Sequence, residues 1–215
     1  MTTRAQLTQE RSRLRRDELL AAAIELFAEG GSRAITHRAV AARAGLPPAT
    51  TTYYFESIDE LIREALGTHI DQWSRDIESL AAIDGGAGAS IDDVSAFITR
   101  VFAARGPEVA GLELAIFLAA ARNPGLRDNA TRSMHAFEAL ARTVLERIGV
   151  QEPAALAASI AALIVGTAMR RQSDAYTEQA EAELLVSAIR GLVAAHTMGP
   201  ESVDRTLAGL RRAQQ

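Results

Sequence analysis

The chain contains no cysteine and no lysine. Without cysteine there is no disulfide, no thiolate nucleophile and no cysteine-based metal site. Without lysine, all 23 basic residues are arginine, which bears on composition more than on function. Proline occurs only 6 times. With alanine, leucine, arginine and glutamate abundant, that scarcity favours an all-helical chain. The motifs of catalysis are also missing. There is no Gly-x-Ser-x-Gly elbow, no Walker loop and no dinucleotide fingerprint, so no enzyme is expected. The glycine-rich stretch Asp84–Ala89 reads as a flexible loop rather than a phosphate cradle, since no strand precedes it and no lysine follows. The four histidines, His37, His69, His135 and His196, are scattered. His135 and Glu138 stand i, i+3 on one helix face, but two ligands do not make a metal site. Neither a metal nor another cofactor is expected. Long apolar runs are lacking too. The uncharged stretch Ala154–Met169 is shorter than the roughly 18–20 residues of a membrane span and reads as a buried helix. The first residues, Met-Thr-Thr-Arg-Ala-Gln-Leu, lack the apolar core of a signal peptide, so the cytoplasm is expected.

What remains is a chain of 215 residues with 48% hydrophobic and 23% charged residues. Those proportions describe a soluble globular protein with an ample core, as one large or two small domains. A net charge of −4 does not suggest nucleic acid. Its distribution does. Residues 1–56 carry eight arginines against six carboxylates, a net of +2, and the remainder carries fifteen against twenty-one, a net of −6. A mildly basic head on an acidic body suits a small DNA-binding domain carried by a larger regulatory one, although chance could also produce the difference.

The most informative span runs from Thr36 to Phe55. Thr36 is a good N-cap, because its hydroxyl can accept an orphan backbone N–H. Ile35 and Val40 stand at the two positions of a hydrophobic staple. Ala39, Val40, Ala42 and Arg43 suit a helix, and Gly45 sits where a C′ glycine would end it. Pro48 fits the first turn of a following helix, where its missing N–H costs nothing. Ser57-Ile58-Asp59-Glu60 reads as the capping box of the next. Between them, Thr50-Thr51-Thr52-Tyr53-Tyr54-Phe55 is β-branched and aromatic, so its propensity alone says strand. The flanking caps say helix. A short helix, a glycine turn and a second helix without carboxylates form the layout of a helix-turn-helix, whose second helix enters a polyanionic groove.

The Thr36-capped helix, the Gly45 turn and the run Tyr53-Tyr54-Phe55-x-Ser57-x-x-x-Leu61 resemble the TetR family of bacterial transcriptional repressors over roughly Arg15 to Leu66. The resemblance implies an all-α fold of about nine to ten helices. A three-helix DNA-binding head over 1–56 would be followed by a helical bundle over 57–215 for effector binding and dimerisation. The implied partners are double-stranded operator DNA, a second copy of the chain and an unidentified small-molecule effector, with no membrane. The implied DNA-contacting residues are Thr36, His37, Arg38, Pro48, Thr50, Thr51, Thr52, Tyr53 and Tyr54. Two positions depart from the family pattern. Thr52 stands where the family usually has tyrosine and Ile58 where it usually has lysine, and both groups commonly bind phosphate. Tyr53, Tyr54 and the amides opening the Ser57 helix could supply part of that grip. The alternative is a helical small-molecule-binding or interaction protein with a degenerate helix-turn-helix.

Elsewhere, Thr2–Arg13 reads as a polar arm, either solvated or touching phosphates through its arginines. Helix 1 is expected from about Leu14 to Ala28, with Leu20, Ala23, Ile24 and Phe27 on one face and Gly30-Gly31 at its end. A long helix follows from Ser57 to about Ile83. Others are expected from Ser90 to Ala104, from Pro107 to Arg122, and near 126–148, 153–172, 178–197 and 201–213. The body has more helix than support of a head requires. The resemblance implies a cavity in it, partly roofed by the Ser57 helix, with Trp73, Phe97, Val101, Phe102, Phe117 and His135 as lining candidates; as simple core, each has a plainer explanation. Helices 153–172 and 178–197 are apolar over more than a narrow stripe, so each is buried on several sides. Burial within the monomer explains this, as does the two-fold interface the family makes there. Leu156, Ile160, Leu163, Leu185, Ile189 and Leu192 are the interface candidates.

Overall fold

A computed structural model describes residues 4–84, 90–104, 106–173 and 175–212. The expected glycine-rich loop after Asp84 lies outside these residues. Among the described residues there are ten α-helices and no strand: α1 (Arg4–Gly30), α2 (His37–Arg43), α3 (Ala49–Tyr54), α4 (Ile58–Asp84), α5 (Ile91–Ala104), α6 (Pro107–Arg122), α7 (Arg127–Arg147), α8 (Ala154–Arg171), α9 (Glu178–Met198) and α10 (Pro200–Arg212). Short 3₁₀ turns precede α2 and α7.

Local chemistry places most boundaries. The Thr36 hydroxyl accepts from the Ala39 amide at 3.1 Å. Gly45 takes φ +67°, the left-handed region glycine enters without a Cβ penalty. The Leu46 amide reaches the Ala41 carbonyl and the Gly45 amide the Ala42 carbonyl, which closes α2 as a Schellman motif. Ser57 caps α4 through the Glu60 amide, while the Glu60 carboxylate accepts from the Glu56 amide, one residue before the partner a capping box would use. Ser90 and Asp93 form a reciprocal cap on α5. The Ser90 hydroxyl and, after it, the Ser90 amide donate to the Asp93 carboxylate and hold that carboxyl below its usual range.

Helix α1 is longer than expected. It starts at Arg4, so most of the stretch expected as a polar arm is helical. The residues from Arg4 to Arg13 are good helix formers without glycine or proline, but they lack an apolar stripe and so give no periodic signal.

The chain packs as two compact units, residues 1–75 with 111–133, and residues 76–110 with 134–215. The boundary between these packing units falls within α4, α6 and α7. In the first unit Leu19, Leu20, Ala23 and Phe27 of α1 share one core with Ile35, Val40, Phe55, Leu61, Leu66, Ile116 and Leu126. Asn129 adds a polar tie, donating to the Arg63 carbonyl at 3.1 Å. The second unit has its own core, around Phe102, Leu145, Leu156, Ile160, Leu185 and Ile189.

Among the described residues one helix, α8, is long and apolar enough to cross a membrane by length and composition. Its Leu156, Ala157, Ile160, Ala161, Thr167 and Ala168 are buried within the second unit.

Candidate DNA-reading surface and ligand cavity

The segment that propensity assigns to a strand forms α3. Thr51 explains how. Its side chain is completely buried, and its hydroxyl lies 3.2 Å from the His37 carbonyl and 3.0 Å from that of Pro48. One contact ties α3 to α2 and the other braces its first turn. Phe55, buried beside it, anchors the end of the helix. Thr51 was expected among the DNA contacts; buried in the core, it cannot touch a groove.

The other expected contacts remain accessible. Thr36, Arg38, Pro48, Thr52 and Tyr53 are exposed, while His37, Thr50 and Tyr54 are half-buried. Tyr53 is 79% exposed and packs edge-on against Tyr54 with ring centroids 4.9 Å apart. An exposed tyrosine on a short helix gains little from the fold. His37 contributes its carbonyl to Thr51, and its Nδ1 is enclosed without a hydrogen-bond partner. Neither α2 nor α3 contains a carboxylate. Arg43 is turned away from this surface, because Glu29 holds it with two hydrogen bonds of 2.9 and 2.8 Å and Glu25 with one of 3.1 Å. Its hydrogen bonds hold the Glu29 carboxyl below the usual carboxylate range.

The extra length of α1 adds residues that periodicity did not mark. Arg11, Ser12 and Arg15 line an open cleft with Ala49, Thr50, Tyr53 and Tyr54. Ser12 Oγ lies 3.1 Å from the Tyr54 hydroxyl, which fixes the register of α1 against α3. Arg11 and Arg15 are exposed and have no carboxylate partner among the described residues. Arg16 is instead paired with Glu64 and sits over the Phe55 ring at 5.1 Å. The signal for this cleft was present as an arginine-rich segment without helix breakers.

In the second unit, α5, α6, α7, α8 and α9 enclose a cavity of about 80 Å³. Of the lining candidates, Phe97, Val101 and Phe102 border this cavity. Trp73 and Phe117 belong to the first unit, and His135 is exposed, so these three do not line it. Their aromatic or polar character suits a pocket, but their positions in the chain fall outside this one. Phe137, Leu140, Val144 and Ile164 complete the apolar wall. No described residue of α4 lines the cavity, so the expected roofing by that helix is not found among the described residues.

Three interface candidates, Ile160, Leu185 and Ile189, also line this cavity, and Leu156 packs in the core beside it. All four are buried within the monomer and unavailable to a partner. Leu163 and Leu192 are half-buried. The residues left exposed are mostly smaller, with Met169, Leu184 and Met198 as the large ones. Ala155, Ser159, Ala162, Gly166 and Met169 follow one stripe of α8, and Leu184, Ser187, Gly191, Ala194 and Met198 follow one of α9. Because both helices are apolar nearly all round, periodicity could not tell the inward face from the outward one.

A two-helix element with a cationic, carboxylate-free outer face and a separate cavity-bearing helical unit define a helix-turn-helix regulator with a ligand-binding body. Comparison with known proteins supplies the family. Residues 19–65 match the model of bacterial regulatory proteins of the tetR family, and residues 86–181 match that of the tetracyclin repressor-like C-terminal domain. The chain belongs to the TetR family and is a DNA-binding transcriptional regulator. No curated protein matches the sequence. Among solved structures, a TetR family member of Streptomyces coelicolor A3 is similar at 25% identity and TM-score 0.63, covering 80% of this chain and 96% of its own. The multidrug binding protein EbrR in complex with ethidium is similar at 28% identity and TM-score 0.61, over 80% of this chain and 96% of its own. A transcriptional regulator of Rhodococcus sp. Rha1, at 22% identity, shares the fold with TM-score 0.69, over 83% of this chain and 96% of its own.

Proposed function

We propose that this regulator is a cytoplasmic, homodimeric repressor that leaves its operator when a small, largely apolar ligand enters the second unit. Tyr53 carries the DNA part of this reading. It is an aromatic side chain kept in solvent on the carboxylate-free face of α3. Arg38, exposed in the first turn of α2, reads guanine through its bidentate fork. Thr50 and Tyr53 line the groove, with Thr36 and Tyr54 on phosphates. Arg11 and Arg15, in the cleft beside Tyr53, supply phosphate contacts that Thr52 and Ile58 do not.

One reading head covers only a half-site, so tight binding needs two on a two-fold frame. The recognition helices then lie roughly 34–36 Å apart, or a multiple of one turn, on a near-palindromic operator. The small-residue stripes of α8 and α9 are the surface for that pairing, since small side chains let helices approach closely. Gly166 and Gly191 have open space where a side chain would stand, room that a partner helix would fill.

The cavity carries the ligand part. The related EbrR binds proflavin and ethidium. An effector here meets an apolar wall and few polar groups. At about 80 Å³ the cavity is well below the roughly 300–1,000 Å³ of drug-sized pockets, so such a ligand must spread the helices around it. A ligand shifts the population only if it binds the DNA-incompetent arrangement better. Helices α6 and α7 carry both cavity-lining residues and, further along, residues of the first unit's core, which makes them the levers. The test is a thermal-shift screen of apolar metabolites and drugs, followed by operator release with each hit. Hits that bind tightly yet leave operator affinity unchanged would refute the switch.

A further inference from the structure

The cavity has a sign as well as a shape. Among the described lining residues one side chain is charged, that of Arg171, and none is a carboxylate. Arg171 ends α8, and its side chain is only 5% exposed. Its guanidinium lies over the Phe102 ring at 4.2 Å and reaches the Phe102 carbonyl at 3.5 Å. Glu178, in the first turn of α9, accepts from its Nη2 at 2.9 Å. That pair is lopsided, because the Glu178 side chain is 60% exposed. A carboxylate in water loses little when released, whereas the enclosed guanidinium requires an anion. The other polar group of the wall, the Thr167 hydroxyl, donates back to the Leu163 and Ile164 carbonyls of its own helix at 3.1 and 2.8 Å. A ligand therefore finds its hydrogen-bond donors on Arg171.

We propose that the cavity takes an amphipathic monoanion: the apolar body among Phe97, Val101 and Phe137, the carboxylate on Arg171 in place of Glu178. This rests on the ligand-binding reading above and adds the charge of the effector. Organic cations are disfavoured twice, by the enclosed guanidinium and by the want of a carboxylate among the described lining residues. A neutral ligand gains the apolar burial but leaves Arg171 on its surface partner.

Titration calorimetry on the full-length protein tests this with matched probes. Carboxylate, primary alcohol and primary ammonium versions are compared on hexyl, octyl and 4-butylphenyl bodies. The carboxylate should bind about 10-fold or more tighter than the alcohol of the same body, and the ammonium should bind weakest. Glu178→Gln, at an exposed position, should tighten the carboxylate several-fold and leave the alcohol unchanged. Arg171→Met should bring carboxylate and alcohol to similar affinity. Should Arg171→Met fail to fold, the wild-type series and Glu178→Gln still decide. Equal binding of all three probes, or preference for the ammonium, overturns the anionic effector and leaves the ligand-binding reading standing. Failure of every probe to bind overturns both.

Discussion

The Thr51 hydroxyl holds a β-branched residue inside a helix by bonding two carbonyls that would otherwise compete for water. Thr51→Val keeps the shape and removes those bonds. It should cost about 0.5–1.5 kcal/mol in urea unfolding and should lower DNA affinity only through the folded fraction. Arg38 belongs to the opposite kind. Exposed and outside the core, it contributes nothing to packing, so Arg38→Ala should leave the melting temperature unchanged. It should cost about 1–3 kcal/mol on specific DNA and relax preference at one base pair. Equal weakening on specific and random duplexes would reduce Arg38 to a phosphate contact. The Glu29–Arg43 pair makes a third, pH-dependent case. The folded carboxyl titrates below its ordinary value of 4.5, so the pair stabilises the head fully above that range. The contribution is lost as pH falls through the lowered value. Melting curves of the wild type and Arg43→Gln should differ at pH 7 and converge towards pH 3. Thr36, Gly45 and Ser57 were legible in the sequence because caps and left-handed turns use few residue types. The inward turn of Thr51 was not, since on a helix this short one residue of rotation separates core from groove.

At the scale of elements, propensity failed where burial and tertiary bonds outweigh it. Helix α3 forms from residues that favour strands because Thr51 and Phe55 are enclosed by the core of α1, α2 and α4. Helix α1 extends beyond its apolar stripe, and that extension presents Arg11 and Arg15. Changing either to alanine should weaken binding about equally on all sequences and lower the salt slope by ~1, measured by fluorescence anisotropy at several salt concentrations. An unchanged slope would leave the extension a solvated tail. In α8 and α9 the periodicity identified buried helices but not what buries each face. The buried leucines and isoleucines of α8 and α9 went to the monomer's own cavity and core, while mostly alanine, glycine and serine, with Met169, Leu184 and Met198, were left outside. Ala162→Glu and Gly191→Glu lie on that outer face, where neither residue fills the core. Each should yield a folded monomer by light scattering at micromolar concentration. A dimeric mass for both would move the interface elsewhere.

For the whole molecule, length and helical pattern were readable: α6 begins and ends at the expected residues, and α4 to α10 each lie within a few residues of expectation. The division into packing units was not, because Ile116 and Leu126 join the first core from more than 50 residues beyond the head, a contact no local pattern encodes. The position of the cavity was half-readable for the same reason. Phe97, Val101 and Phe102 stand on one amphipathic helix, whereas Trp73, Phe117 and His135 depended on how distant helices turn. On the proposed function, a two-headed protein reads a symmetric DNA site through α2 and α3. Selection of the full-length protein on random-sequence duplex DNA, followed by sequencing, decides whether it does. The expected result is a near-palindrome whose half-sites are centred about one helical turn, or a multiple of it, apart. Arg38→Ala should relax one symmetric pair of positions in that palindrome. Enrichment of no sequence, or of a single unpaired half-site, would contradict it.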